Sequence, residues 1–167
     1  MATRRQSPPQ SGKEAARATV VASLERDLAA MTAAAKSAHE AATHAEAKPE
    51  NDKDTRGLEA GYLAAGQSAR AAELMAALAA LKAVVLGPCD KVTIGAIVEL
   101  EDDDGEAQRL FVLPAGAGVR VDVNGGVAKV VSPQAPLVAP LMGRRAGDEA
   151  EVTIGGKRRT VEIVSVG

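Results

Sequence analysis

From Lys13 to Ala47 the chain has neither proline nor glycine, and its apolar positions keep a fixed rhythm. Val21, Leu24, Leu28, Met31, Ala35, Ala38, Ala42 and Ala45 recur at alternating steps of three and four. That spacing is the a/d seam of a coiled-coil helix. Lys13, Glu14, Arg17, Glu25, Arg26 and Lys36 fall off this seam and are expected on solvated faces. At 1.5 Å per residue such a helix reaches roughly 50 Å. The rhythm breaks at Lys48-Pro49-Glu50-Asn51-Asp52-Lys53-Asp54-Thr55. Proline disfavours helix at the residue before it, and Asn and Asp favour turns. Asp54 or Thr55 can cap a second helix, expected over 56–86, in which Ala60, Ala64, Gln67, Ala71, Leu74, Leu78, Leu81 and Val85 repeat the spacing. Gly57, Gly61 and Gly66 weaken its first half, each by up to about 1 kcal/mol against alanine. Two such helices joined by a short polar turn predict an antiparallel hairpin with an acidic tip at 46–55, its turn projecting from the rest of the protein.

After Gly87-Pro88 the pattern changes to short alternating runs. Segments 95–101 and 109–113 predict strands around the acidic turn Asp102-Asp103-Asp104-Gly105. Segments 119–123 and 127–131 flank Asn124-Gly125, a strong hairpin signal. Segment 133–142 is punctuated by proline and allows a turn or two of helix, and 149–154 with 159–166 predicts a terminal hairpin across Gly155-Gly156. The expected class is therefore α+β. A lead-in at 1–12 is expected to be disordered, a coiled-coil hairpin occupies 13–86, and a β-rich domain occupies 87–167.

Composition narrows the function. Hydrophobic residues are 46% of the chain but aromatics only 1%, so alanine carries much of the apolar count and the cores are modest. A net charge of −2 argues against a generic electrostatic nucleic-acid binder. Cys89 is the only cysteine, which rules out an intramolecular disulfide and a Cys-based zinc site. No apolar run approaches a membrane span, and 1–12 lacks the apolar core of a signal peptide, so a cytoplasmic location is expected. His39 and His44 stand five apart and do not share a helix face well, so surface positions are expected for both. Asp102, Asp103 and Asp104 read as a solvated turn, and Arg144, Arg145, Lys157, Arg158 and Arg159 as a basic face.

The run from Val131 to Val152, VSPQAPLVAPLMGRRAGDEAEV, resembles a segment of the Gre transcript-cleavage factors. Ser132, Pro133, Pro136, Leu137, Leu141, Gly143, Gly147 and Asp148 match that family's pattern at the right spacing. Gly95 to Leu100 is similar to the strand that opens the same domain, and the order of hairpin then β-rich domain is the family's. At the tip, Glu50 and Asn51 resemble the family's E-N pair, and Tyr62, Ala64 and Ala65 resemble the Y-x-A-A that succeeds it. This tip is several residues longer, and Glu46, Asp52 and Asp54 all remain candidates for the motif's leading aspartate.

The resemblance implies an FKBP-like fold for 87–167. It also implies a transcription elongation factor that enters the secondary channel of bacterial RNA polymerase and stimulates cleavage of backtracked RNA. Glu50, Asp52 and Asp54 would be the assisting carboxylates, and with Glu46 the ligands of a Mg²⁺ shared with the polymerase. Pro136, Leu137, Leu141, Gly143, Arg144 and Asp148 would form the polymerase-docking surface. The protein would be no enzyme itself and would hold no cofactor of its own. It would act as a monomer on core polymerase, meet the nascent RNA 3′ end only indirectly, and contact no membrane. Prolyl isomerase activity is rejected, since Phe111 is the only aromatic after Tyr62 and no aromatic pocket can be built. Two alternatives stand beside this reading. One is a regulator of the same fold that modulates polymerase without cleavage; the other is a structural coiled-coil adaptor.

Overall fold

The proline-free stretch folds as one helix, α1 (Gln10–Glu46), and the second heptad segment as α2 (Thr55–Ala83). This computed structural model describes residues 10–46 and 55–167, with side chains described for 12–41 and 64–167. Glu50, Asp52 and Asp54, and the side chains of Glu46 and Tyr62, lie outside the described residues. The chain divides into two units: residues up to 22 with 80–167, and residues 23–79.

In the second unit the seam is only half-covered. Leu24, Leu28, Met31 and Ala35 of α1 are half-buried, as are Gln67, Ala71, Leu74 and Ala77 of α2, while Leu78 is buried. Met31 and Asp27 share one groove with Arg70, Leu74 and Ala77. Near the other end of the pair Arg17 reaches the carbonyls of Lys82 and Val84, so the helices run antiparallel. Ala38 and Ala64, expected on the seam, are exposed, because alanine is too short to bridge the gap once larger partners end. Among the described residues, Gln67 Oε1 is buried without a hydrogen-bond partner.

Both helix ends near the sheet depart from expectation. Helix α1 starts at Gln10, three residues ahead of the expected boundary, although Gly12 is a poor helix former. Tertiary packing explains this: a Cβ on Gly12 would stand 2.2 Å from Asn124 Oδ1, so glycine is what lets the first turn lie on the 124–125 turn. Helix α2 stops at Ala83, and Val85, expected on the seam, is 89% exposed. There Arg17 Nη1 donates to Val84 O at 2.8 Å and satisfies a carbonyl just beyond the end of α2.

The remainder is a six-stranded sheet: β1 (Ile97–Asp102), β2 (Ala107–Val112), β3 (Arg120–Val123), β4 (Gly126–Val131), β5 (Glu149–Ile154) and β6 (Lys157–Val166). The order is β3-β4-β2-β1-β6-β5. All neighbours are antiparallel except β2 and β4, which pair parallel. Asn124 (φ 51°) and Gly125 (φ 80°) both sit in the left-handed region, the type I′ geometry that matches strand twist in a two-residue hairpin.

Strand alternation splits the buried residues between two faces. Val98 and Leu110 belong to a cluster with Val112, Val152, Val161 and Ile163, closed by Val138 and Leu141 of the 132–142 segment. Ile97 and Phe111, one register step away, point to the other face. Ala16, Val20 and Leu81 are buried as well, and a Cβ on Gly116 would meet Val20 Cγ1 at 2.2 Å. The sheet is thus covered by loop on one side and by helix turns on the other. Phe111 is fully buried as core.

Candidate functional site

The segment that carries the resemblance, 132–148, forms one 3₁₀ turn (Ala139–Leu141) and a tight loop. Its matched residues are mostly there to shape it. Ser132 Oγ accepts from Gln134 N–H, and Ala135 O accepts from the N–H groups of Val138 and Ala139. Leu141 is 0% exposed. Its part in any docking surface is therefore to hold the segment in place, not to touch a partner, which corrects its expected contact role. Leu137 is half-buried against the same core, while Pro136 is exposed.

Gly143 (φ 82°) and Gly147 (φ 87°) lie where L side chains are strained. Asp148 Oδ2 accepts from Arg145 N–H at 2.8 Å and Asp148 N–H returns a bond to Arg145 O at 3.1 Å, closing the loop. Val92 seals it, donating to Arg144 O and accepting from Gly143 N–H, each at 2.8 Å. Arg144 is exposed, yet its guanidinium donates to Pro140 O at 2.9 Å and Glu149 O at 2.8 Å. Of the expected docking residues, Pro136, Gly143, Arg144 and Asp148 are exposed.

The basic face is partly internal wiring. Arg145 pairs with Asp90 at 2.7 Å, and Arg159 with Asp102 at 2.9 Å and also with Asp104. Asp102 is not the solvated turn residue expected, for it is only 8% exposed. Its Oδ1 accepts from Glu106 N–H at 2.9 Å and Asp104 N–H at 3.1 Å. The Glu106 N–H, helped by Asp104 N–H and Arg159, holds this carboxyl below the usual range against the opposing effect of burial. Among the described residues no group of three or more His, Cys, Asp or Glu could hold a metal ion. No helix among them is long and apolar enough to cross a membrane.

One constellation was not legible in the sequence. Lys13, expected in solvent, is 2% exposed, and Arg17 is half-buried. The first turns of α1 face the sheet, so Lys13, Ala16 and Val20 form the buried stripe there in place of the heptad seam. Lys13 lines a cleft with Cys89, Glu99, Arg109, Asn124 and Ser165. The three-and-four step from Lys13 to Ala16 to Val20 was the available signal.

The family described as "Transcription elongation factor, GreA/GreB, C-term" matches residues 87–167. A protein of Aliarcobacter butzleri named transcription elongation factor GreA is 34% identical over 99 residues, 57% of this chain and 57% of its own length. One of Nitratidesulfovibrio vulgaris with the same name is 40% identical over 78 residues, 46% of this chain and 45% of its own. The chain thus spans about half the length of the curated relatives it matches. Among solved structures, the transcription factor Gfh1 is 25% identical with a TM-score of 0.39, covering 99% of both chains. The GreA/GreB factor of Nitrosomonas europaea is 26% identical with a TM-score of 0.35, covering 56% of this chain and 78% of its own. Residues 87–167 are thus a C-terminal domain of the GreA/GreB type.

Proposed function

We propose that this chain is a transcription elongation factor that binds bacterial RNA polymerase through its secondary channel and stimulates Mg²⁺-dependent cleavage of backtracked RNA. The observation that carries the reading is the match of 87–167 to the GreA/GreB C-terminal domain, preceded by an antiparallel helix pair. In this reading the sheet domain docks on core polymerase with the exposed side of the 132–148 loop. The sequence between the two helices contains Glu50, Asp52 and Asp54, with Glu46 close by in the chain. These four offer oxygen donors only, the hard ligand set that suits Mg²⁺. When bound, the ion would supply an activated water for hydrolysis, with the polymerase providing the rest of the active centre. The chain itself is then no enzyme: it lends carboxylates and position, and meets the RNA 3′ end only through the polymerase.

The test is a stalled, backtracked elongation complex with saturating full-length protein. The expected result is Mg²⁺-dependent shortening of the RNA, lost or strongly reduced in Glu50→Ala and in at least one of Asp52→Ala and Asp54→Ala. Binding without shortening would favour the second reading, a regulator that occupies the channel without promoting cleavage. The sequence feature behind that alternative is the longer tip with Pro49 inside it. No binding to core polymerase would overturn both.

A further inference from the structure

The first turns of α1 bring a primary amine against the chain's only thiol. Lys13 is 2% exposed, and among the described residues its Nζ donates to Gly87 O at 2.6 Å and to Cys89 Sγ at 3.8 Å. The amine and the thiol are 76 residues apart in sequence, so the fold alone places them together. Their neighbours fix that placement. Ala16 and Val20, the next residues of the same helix stripe, are buried, and Arg17 donates to the carbonyls of Lys82 and Val84. The lysine tip is therefore held at the sulfur and kept out of solvent. Burial disfavours the ammonium form and pushes the amine's pKa down, against an opposing effect of Cys89. The neutral amine has a free lone pair and is a nucleophile.

The thiol also has a second side. Cys89 is half-buried, and together with Lys13 it lines an open cleft of about 310 Å³ within the sheet-bearing unit. At about 30 Å³ for each water, that space admits a small hydroperoxide to the sulfur. A thiol oxidised to sulfenic acid normally goes on to a disulfide, to an S–N bond or to sulfinic acid. The chain holds no other thiol, which closes the intramolecular disulfide route. The group standing at the sulfur is the lysine amine.

We propose that Lys13 and Cys89 form a modification site for hydroperoxides, in which Cys89 is oxidised to sulfenic acid and Lys13 Nζ then condenses with it to a sulfenamide. In the first step the sulfur attacks the O–O bond of the hydroperoxide. An S–O bond forms, the O–O bond breaks, the sulfur is oxidised, and with hydrogen peroxide the reduced product is water. In the second step the Nζ lone pair attacks Sγ. An N–S bond forms, the S–O bond breaks, and the departing oxygen leaves as water with a proton from the amine. No other oxidant is required. The flexible lysine stem closes the gap to the sulfur, and the linked nitrogen keeps one hydrogen, enough to retain its bond to Gly87 O. The product fastens the first turns of α1 to the segment that leads into β1. The site is separate from the tip carboxylates, and its test contains no polymerase, so it stands or falls independently of the proposed function.

The experiment treats the reduced full chain with hydrogen peroxide and maps its tryptic peptides by mass spectrometry. The expected product joins 6–17 to 83–91 with Lys13 uncleaved, at a mass about 2 Da below the sum of the two peptides. Dithiothreitol separates them and restores cleavage after Lys13. Lys13→Arg, checked for folding by circular dichroism, keeps a cation there but no nucleophilic amine. In that variant the linked product is lost and Cys89 advances to sulfinic acid, about 32 Da heavier. The proposal is overturned if wild-type Cys89 ends as sulfinic acid or as a disulfide between two chains while Lys13 is still cleaved. A link from Cys89 to any other residue overturns it as well. If Lys13→Arg does not fold, the wild-type peptide map decides alone.

Discussion

The sheet unit and the hairpin unit both use apolar side chains but bury them to different depths. In the sheet unit Leu110, Phe111, Leu113, Leu141 and Ile163 are all at most 1% exposed. In residues 23–79, Leu24, Leu28, Met31 and Leu74 are only half-buried. The difference comes from geometry. A sheet covered on both faces encloses its side chains, whereas two helices share one seam and leave the flanks of that seam in water. The alanine content sharpens the contrast, since Ala38 and Ala64 are exposed where the heptad continues. Local stability should therefore be concentrated in the sheet, with the helix pair opening first.

Removing one side chain from each unit puts this contrast to the test. Phe111→Ala should cost about 3–5 kcal/mol in urea unfolding, the range for a buried aromatic. Leu28→Ala or Leu74→Ala should cost well under that, about 1–2 kcal/mol, because part of each side chain already meets water. Equal losses would mean that the seam is as well packed as the sheet. Gln67→Leu should act in the opposite direction: it removes a buried oxygen that has no partner among the described residues and should stabilise the helix pair by about 1 kcal/mol, read as slower amide exchange in 64–79.

The smallest effect concerns acid. Asp102 and Glu99 are both held below the ordinary carboxylate range, Asp102 chiefly by Glu106 N–H and Glu99 chiefly by Ser165 and then Arg109. A carboxyl depressed in the folded state stabilises fully above its unfolded pKa of about 4 and loses that contribution as pH falls through the folded value. Asp102→Asn should therefore be less stable than the wild type at neutral pH, and the gap should narrow below about pH 4. A gap independent of pH would show that the carboxylate's charge contributes nothing.

Elements set by local rules are readable in the sequence. Both heptad helices, the I′ turn at Asn124-Gly125 and the terminal hairpin arise from spacing and turn chemistry within a few residues. Long-range pairings are not readable in this way. The parallel match of β2 with β4 and the β1–β6 pairing join segments with no local signature, and the end of α2 depends on a cation from α1. The 132–148 motif is legible as a pattern but not in its meaning: Leu141 is core, the two glycines answer backbone geometry and Asp148 closes a loop. Lys13 escapes sequence reasoning because a charge off a heptad seam reads as solvated, and only the sheet beneath the first turns of α1 reverses that. The tip carboxylates remain sequence-level candidates, since they lie outside the described residues.

In the proposed function, the junction of the two helices delivers carboxylates to the catalytic centre of RNA polymerase. Delivery is tested by placing a photoreactive label on the cysteine of an Asp52→Cys, Cys89→Ser variant and mapping its crosslinks in complex with core polymerase. Crosslinks to polymerase residues that surround the catalytic Mg²⁺ are the expected result. A stable complex whose label reacts only with the outer surface of the polymerase would refute it.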